Sequence, residues 1–285
     1  MKKTVAIIAV GLMSTVGFAD ITWSGAGGNW NTAGSWSGGS IPTASDDAVI
    51  NSSGTVSVPN GYTANASNVT VTAGTLQAAN TGYLVVHGNL TQNGGTVETR
   101  TSTGTITIHG DYLLNSGMMR LIQADKNGII VNGNFTMGST AQIDFNMNGA
   151  AAISRLAVGG VSTFDGMLQL RNFATSNYTD TILLMQNTST DVVIGDFSSA
   201  RLTYEVVVGT VTNVYTLNVS SGVGAIFDLD ADAKGATGQF ILKLIDFDGD
   251  GVANDLVFQA IPEAGTIGLF MISAFVIMGI RRAVK

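Results

Sequence analysis

Four short segments of the chain repeat one pattern, in which a run rich in aliphatic residues leads into a polar corner containing glycine. The segments are LVVHGNL at residues 84–90, ITIHGDY at 106–112, IIVNGNF at 129–135 and, more weakly, LAVGGV at 156–161. The glycine recurs after 22, 23 and 27 residues, at positions 88, 110, 133 and 160. Repeats of this length are typical of solenoids, in which each coil buries its apolar side only against its neighbours.

The sequence around these segments has the pattern of short strands separated by turn-forming residues. Between residues 69 and 219, runs of Val, Ile, Leu and Thr alternate with Gly, Asn and Ser, without proline and without a long stretch of helical period. This predicts an all-β fold, a parallel, right-handed β-helix over residues 69–220. The corner glycines are expected to adopt positive φ. From residue 181 the runs lengthen, which predicts final coils or a short sandwich-like cap, and then a C-terminal β segment over 221–260.

A hand alignment of the coils predicts which side chains stack. The inward positions are expected at Val97, Met119, Ile143 and Leu168. The residues that follow them should face outward, one above another, at Glu98, Arg120, Asp144 and Gln169. Because coils lie about 4.8 Å apart, these form an acid–base–acid ladder, in which an exposed pair contributes at most about 1 kcal/mol.

All three tryptophans lie near the start, in residues 20–68, at Trp23, Trp30 and Trp36. This segment resembles the opening of exported bacterial β-helix proteins of the autotransporter-passenger type, and IGDFSS at 194–199 resembles the closing section of such passengers. The tryptophans have two interpretations. They cover the end of the first coil, which is the favoured one, or they stack against sugar rings.

Composition excludes several classes of site. The chain has no cysteine, so thiol nucleophiles, thiolate zinc sites and disulfides are absent. Five of the 13 basic residues and one of the 20 acidic residues lie in the two terminal segments described next, which leaves eight basic and 19 acidic residues and a charge of about −11. This balance disfavours nucleic acid as a partner and favours divalent cations.

The N-terminus has the pattern of a secretory signal peptide, assigned to residues 1–19. Lys2 and Lys3 precede an apolar run that ends with small residues at Ala19. We expect the Sec translocon to export the chain, with cleavage between Ala19 and Asp20.

The C-terminus, residues 261–285, combines Pro262 and Glu263, an uncharged stretch over 265–280 and a basic cluster that includes Arg281 and Arg282. This resembles the PEP-CTERM sorting tail of Gram-negative bacteria, although Ala264 stands where that family usually has a second proline. The resemblance implies a single transmembrane helix that holds the protein transiently in the inner membrane until an exosortase-type enzyme processes it. The alternative is an ordinary membrane anchor.

One loop has the spacing of a calcium site, in DFDGDGVAND at residues 246–255. Alternate carboxylates followed by glycine let a loop surround an oxygen-preferring cation. The expected ligands are Asp246, Asp248, Asp250, the carbonyl of Val252, and Asn254 or Asp255. The loop resembles dockerin and thrombospondin type 3 calcium loops, but Val257 replaces the twelfth-position Glu, which implies weak affinity. The alternative is a solvated acidic turn. Asp228, Asp230 and Asp232 also alternate, without the turn glycine.

The sequence offers little for catalysis. The two histidines, His87 and His109, occupy one slot of the repeat and are expected to form a corner ladder, not a metal site. We therefore expect an exported, non-enzymatic structural or adhesive protein of the cell surface or extracellular matrix, with an exopolysaccharide as a candidate partner. The alternatives are a β-helix polysaccharide lyase or hydrolase, with Arg100, Arg120 or Arg171 as base, and a carbohydrate-binding protein using the tryptophans.

Overall fold

Stacked parallel strands make up most of the described chain. The computed structural model describes residues 19–100, 103–122, 126–146, 154–174, 181–189, 193–208, 211–219, 223–224, 226–228 and 239–261. In these ranges the protein is all-β, a parallel β-solenoid of about six turns, which confirms the predicted fold class at that level. The predicted leader over 1–18 and the sorting residues Pro262, Glu263, Arg281 and Arg282 lie outside the described residues. None of the described segments is a helix long and apolar enough to cross a membrane.

The strands are short at the N-terminus and longer toward the C-terminus. The first fifteen are β1 (Ala19–Thr22), β2 (Gly28–Asn29), β3 (Asp46–Ile50), β4 (Thr55–Val58), β5 (Thr63–Ala66), β6 (Val69–Val71), β7 (Thr75–Ala78), β8 (Tyr83–Val86), β9 (Leu90–Thr99), β10 (Thr105–Ile108), β11 (Tyr112–Ile122), β12 (Lys126–Val131), β13 (Phe135–Asn146), β14 (Ser154–Val158) and β15 (Ser162–Phe164). The remainder are β16 (Met167–Ala174), β17 (Thr181–Asn187), β18 (Val193–Gly195), β19 (Ser199–Val208), β20 (Val211–Val219), β21 (Ile226–Asp228), β22 (Gln239–Ile245) and β23 (Asp255–Ile261). Two single-turn 3₁₀ helices, Ala33–Ser35 and Ser37–Gly39, lie among the N-terminal strands.

Each regular turn contains three strand segments, so the solenoid has three faces. In one turn, β8 is followed by a corner, residues 90–92 of β9, a second corner, and residues 96–99 of β9. β8 pairs in parallel with β5 and β10, residues 90–92 pair with β6, and residues 96–99 pair with β7. We call these the first, second and third faces. The third face continues through the ends of β9, β11 and β13 into β16 and β19.

The inward residues of the third face stack in the predicted register. Met119 is paired with Val97 on one side and with Ile143 on the other, and Ile143 is paired with Leu168. All four side chains are buried. Full burial of an aliphatic side chain contributes about 1.5 to 3 kcal/mol, so a column of such residues stabilises the stack and fixes its register.

An aromatic column fills the core beside the repeated corner. Tyr112 and Phe135 meet edge to face with ring centroids 5.5 Å apart, and Phe164 lies 6.0 Å beyond Phe135 and 4.6 Å from Phe197. The hydroxyl of Tyr112 donates a 2.6 Å hydrogen bond to Oε1 of Gln92 inside the core. The residues that end the first three repeated segments, Leu90, Tyr112 and Phe135, are therefore core residues.

The glycines of the repeated segments are required by close packing between coils, and the expectation that they adopt positive φ is wrong. Positive φ occurs at the following corner instead, for example at Gly74 (70°) and Gly95 (64°). At the repeated corner, a methyl group on Gly110 would lie 2.2 Å from Oδ1 of Asn89 and 2.7 Å from the carbonyl oxygen of Gly88. Only glycine leaves space for this approach.

A ladder of Asn and Asp side chains explains why the coils approach so closely there. In each step a side-chain oxygen accepts the backbone N–H of the equivalent residue in the next coil. Asn68 accepts from Asn89, Asn89 accepts from Asp111, and Asp111 accepts from Asn134, each at 2.8 Å. We call these residues the Asx ladder. It provides acceptors for backbone donors at a corner where the strands themselves have ended.

The tryptophans are buried against the first coil, as the capping interpretation predicted. Their indoles meet edge to face, with Trp36 at 5.0 Å from Trp23 and 4.8 Å from Trp30. Trp36 Nε1 donates a 2.7 Å hydrogen bond to the carbonyl of Trp30. The backbone N–H groups of Trp23 and Trp30 donate to Val49 and Ser57, which lie in β3 and β4. All three side chains are at most 2% exposed, so they present no aromatic surface to solvent.

Antiparallel strands close the C-terminal end of the stack. β20 pairs antiparallel with β19 on the third face, and β23 pairs antiparallel with β17 on the first face. β22 pairs antiparallel with β23, and β21 pairs antiparallel with β22, so these strands extend the first face. The change from parallel to antiparallel pairing ends the repeat, and it places the hairpin between β22 and β23 at this end of the protein.

Candidate functional site

The Asp-rich loop is the turn of the β22–β23 hairpin. Ile245 and Asp255 are the last paired residues, and residues 246–254 form the loop between them. Ligand atoms of Asp246, Asp248 and Asp250 all lie within 4.8 Å of one another, and all three residues are exposed. The structure thus brings together the three carboxylates that the alternating spacing singled out.

Backbone N–H groups hold the loop around these carboxylates. Asp246 accepts hydrogen bonds from Gly249 at 2.7 Å and from Gly251 at 3.1 Å, and Asp250 accepts one from Val252 at 2.8 Å. Gly249 and Gly251 have φ of 82° and 93°, a conformation that strongly favours glycine. The local sequence therefore fixes the curvature of the loop, and this curvature gathers the acidic side chains.

Asp255 lies below the loop and joins it to the solenoid. Its carboxylate is fully buried and accepts backbone N–H groups from Phe247 at 2.8 Å, Asp248 at 3.3 Å and Asn187 in β17 at 2.9 Å. Asn254 is also buried, and its Nδ2 donates to the carbonyl of Ser189 at 2.7 Å. These two predicted ligands are thus engaged at the base of the hairpin.

Burial sets the electrostatics of this base. It raises the pKa of the Asp255 carboxyl above its usual range, and the negative charge of Asp248 raises that pKa further. The hydrogen bonds donated by Phe247, Asn187 and Asp248 lower the pKa of Asp255 but do not cancel the effect of burial. A cation bound near Asp248 would offset the repulsion between these two carboxylates.

The loop has the chemistry of a weak site for a hard cation. Its three carboxylates offer oxygen atoms, while Ca²⁺ takes six to eight oxygen ligands and accepts water among them. The carbonyl of Val252 accepts an N–H from Asn254 at 3.0 Å, and a carbonyl oxygen has a second lone pair for a ligand bond. Asp246, Asp248 and Asp250 are thus the side chains that could hold a hard cation at this turn, with water completing its coordination.

Strand pairing does not place Asp228, the described member of the upstream acidic group, near the Asp-rich loop. Asp228 is opposite Gln239, at the end of β22 away from the loop, about 20 Å from Asp246 along the strand. Asp230 and Asp232 lie outside the described residues. Their share in a cation site stays a hypothesis from the sequence.

The histidines form the predicted corner ladder. His87 and His109 stack with ring centroids 5.7 Å apart. His87 Nε2 lies 3.1 Å from Oδ1 of Asn65, and His109 Nδ1 lies 3.0 Å from Nδ2 of Asn132. Each imidazole is therefore paired with an amide of an adjacent coil.

A groove beside His87 was not predicted. It has a volume of about 480 Å³ and is lined by Ile41, Pro42, Thr43, Ala44, Tyr62, Asn65 and His87. None of the residues that line it is acidic, although Thr43 donates to the carboxylate of Asp46, so the lining lacks the paired acids that glycoside hydrolysis requires. No sequence motif marked it, because its walls come from a loop and from two different coils.

The predicted outward ladder is present on the third face, but its acidic residues are buried. Glu98 and Asp144 are 3% and 0% exposed, contrary to the expectation of exposed pairs. Arg120 bridges them, with Nη1 at 3.4 Å from Glu98 and Nε at 3.0 Å from Asp144. Arg171 adds a second pair to Asp144 at 2.8 Å, and Arg100 a second pair to Glu98 at 3.4 Å. Each acid thus has two arginine partners.

Comparisons with known proteins give no match to this chain, whether with family models, with curated proteins or with solved structures.

Proposed function

We propose that this protein is an exported, non-enzymatic structural or adhesive component of the cell surface or extracellular matrix of a Gram-negative bacterium. Its β-solenoid body is delivered by the Sec translocon and held transiently in the inner membrane by its C-terminal segment. An exosortase-type enzyme then processes that segment. The alternative is a β-helix polysaccharide lyase or hydrolase, or a carbohydrate-binding protein.

The order of segments along the chain is the observation that carries this proposal. A signal-peptide pattern ends at Ala19, and the first strand of the fold also begins at Ala19. The described strands continue to Ile261, which is also the first residue of the tail pattern over 261–285. Each of the two predicted signals therefore overlaps the described strands by a single residue, Ala19 or Ile261.

The geometry of the described residues favours a structural role over catalysis. Both histidines are paired with asparagine amides, and Arg120 and Arg171 are held by a buried carboxylate. A general base has to reach the substrate proton, whereas these side chains are engaged by groups of the protein itself. The tryptophans are buried, so sugar stacking through them finds no support.

Calcium is the proposed cofactor, and it would act on stability. Asp246, Asp248 and Asp250 place three negative charges at the end of one hairpin, and their repulsion opposes closing the loop. Ca²⁺ would relieve this repulsion in the calcium-containing medium outside the cell. The bound ion would then stiffen the hairpin that closes the first face.

The intact mass of the protein recovered from producing cells tests the export proposal. We expect a chain that begins at Asp20 and lacks most of residues 262–285, together with a larger, membrane-associated precursor. A chain that keeps residues 1–19 would contradict export. A mature body that is still membrane-bound and keeps residues 265–285 would establish the plain-anchor alternative.

Activity measurements test the enzymatic alternative. The purified protein is incubated with a panel of uronic-acid polysaccharides, with and without Ca²⁺. We expect neither unsaturated products nor new reducing ends above a blank. Product formation that is lost on Arg120→Lys or Arg171→Lys would establish a lyase.

A further inference from the structure

Arginine is concentrated on one face of this acidic protein. Between residues 20 and 261 the chain has five arginines, and four of them belong to the third face or its edge: Arg100, Arg120, Arg171 and Arg201. Strand pairing and ion pairs place them there. Arg201 is opposite Gln169, and Arg100 follows the end of β9 and pairs with Glu98. The fifth arginine, Arg155, lies in β14 on the first face.

The acids of this face lie beneath the arginines, so solvent meets mainly guanidinium groups. The side chains of Glu98 and Asp144 are 4% and 0% exposed, while those of Arg100, Arg120 and Arg171 are 55%, 30% and 29% exposed. Glu98 and Asp144 against these four arginines leave a formal charge of +2 for the six residues, or +1 when Glu205 of β19 is counted, on a body of about −11. The third face is therefore a cationic surface on an acidic body, and Lys126, Arg155 and Lys243 lie on strands of the first face.

Three of the four arginines keep Nη groups that their described contacts do not use, whereas Nε, Nη1 and Nη2 of Arg120 each contact a neighbouring side chain. Arg100 and Arg171 make their ion pairs through Nε, and Arg201 uses Nε to donate to Oδ1 of Asn218 at 2.9 Å. The terminal Nη groups of these three side chains are not engaged in those contacts. A guanidinium has five donors, and two neighbouring ones match both oxygens of a carboxylate.

The stripe has a defined length and spacing. Its arginines come from the coils of β9, β11, β16 and β19, and adjacent coils lie about 4.8 Å apart. The guanidinium groups are therefore about 5 to 10 Å apart along a line of about 20 Å. Beyond Arg201, β19 also contains Glu205, four residues farther along the strand.

We propose that the third face binds a linear, carboxylated polysaccharide lengthwise, with successive carboxylates at Arg100, Arg120, Arg171 and Arg201. The assignment rests on the proposed function, because export brings this face into contact with extracellular polymers. A polymer with one carboxylate per sugar or per two sugars fits the spacing of the stripe. The negative body repels any polyanion, but it would repel duplex DNA more strongly, because DNA has one charge per about 1.7 Å and the polysaccharide has at most one per sugar.

Binding of polygalacturonate to the full chain, purified in a mild detergent at low salt, tests this inference. The decisive variant combines Arg100→Gln and Arg201→Gln, because Arg120 and Arg171 then still neutralise Asp144 and Glu98, and the fold is spared. The matched control combines Arg155→Gln and Lys243→Gln, which removes the same charge from other strands. We expect the first variant to bind about tenfold more weakly and the control to bind like wild type.

Three further ligands test whether binding requires negative charge, a polymer and a carbohydrate. We expect no binding of neutral dextran, and much weaker binding of the galacturonate monomer and of single-stranded DNA. Binding of wild type should also weaken as salt is raised. Circular dichroism of both variants checks that the fold is retained.

Several results would overturn the inference. They are absence of polygalacturonate binding by wild type, equal losses in the two variants, or DNA binding as tight as that of the polysaccharide. Monomer binding as tight as polymer binding would show a small-anion site instead. None of these results depends on processing of the termini, so the inference and the export proposal fail separately.

Discussion

Replacing Gly110 by alanine tests whether close packing at the Asx ladder holds the coils in register. The new methyl group would lie 2.2 Å from Oδ1 of Asn89 and 2.7 Å from the carbonyl oxygen of Gly88. Both oxygens already accept hydrogen bonds across the coils, from the N–H groups of Asp111 and Gly110, each at 2.8 Å. The methyl group can therefore be accommodated only if these bonds lengthen or break.

The structure sets the expected magnitude. Overpacking of this kind costs about 1 to 3 kcal/mol, and a lost hydrogen bond adds about 1 kcal/mol. The free energy of unfolding of Gly110→Ala should thus fall by about 2 to 4 kcal/mol. For a body of this size, the melting temperature should fall by roughly 4 to 16 °C.

Urea and thermal unfolding, followed by circular dichroism, measure the effect. Gly34→Ala is the matched control, because a methyl group there meets nothing within 4 Å and the backbone is not at positive φ. Its stability should stay within about 0.5 kcal/mol of wild type. Asn89→Ala combined with Gly110→Ala should cost less than the sum of the two single changes, since the clash with Oδ1 is removed. If Gly110→Ala costs no more than Gly34→Ala, the ladder does not set the register.

Calcium at millimolar concentration should raise the stability of wild type by about 0.4 to 1 kcal/mol, a shift of roughly 1 to 4 °C in melting temperature. Asp248→Ala combined with Asp250→Ala should abolish this shift, and a titration of wild type without heat of binding would leave only an acidic turn. A raised pKa for Asp255 means that the folded state favours the protonated carboxyl. This preference adds to the free energy of unfolding at pH values below about 4, and the contribution is lost as the pH rises through the raised pKa. Asp255→Asn should therefore flatten the decline in unfolding free energy as the pH rises above about 4, and an unchanged slope would refute this. Arg120→Ala should cost about 1 to 3 kcal/mol in urea unfolding, since it weakens the pairing of two buried acids, while Arg155→Ala should cost less than about 1 kcal/mol; equal costs would contradict this difference.

The register of the coils was predictable because it depends on local, periodic features. Apolar alternation placed Val97, Met119 and Ile143 inward, and the recurrent corner fixed the length of each coil. The role of the corner glycine was not predictable, because the first and the second corner of a coil both contain glycine. One requires it for positive φ, at Gly95, and the other for contact with the neighbouring coil, at Gly110. Residue type alone does not separate these two causes.

The cation loop and the ion-pair ladder show the same limit. Asp246, Asp248 and Asp250 were identified because they are adjacent in sequence and the loop between them is short. The role of Asp255 in holding the hairpin was not predicted, because its donor Asn187 lies 68 residues away in the sequence. The burial of Asp144 depends on Arg171, which reaches back from the next coil and belongs to a different column of the face.

A body in which each coil contacts only its neighbours has an adjustable length. The solenoid of about six turns is about 30 Å long at about 4.8 Å per coil. Inserting one 22-residue unit, for example a copy of residues 89–110, would add one step of the Asx ladder and one residue to the inward aliphatic column, and it would disturb neither end. The separation between the tryptophan end and the Asp-rich hairpin could thus change in increments of about 5 Å during evolution, because the number of coils determines the distance between the two ends.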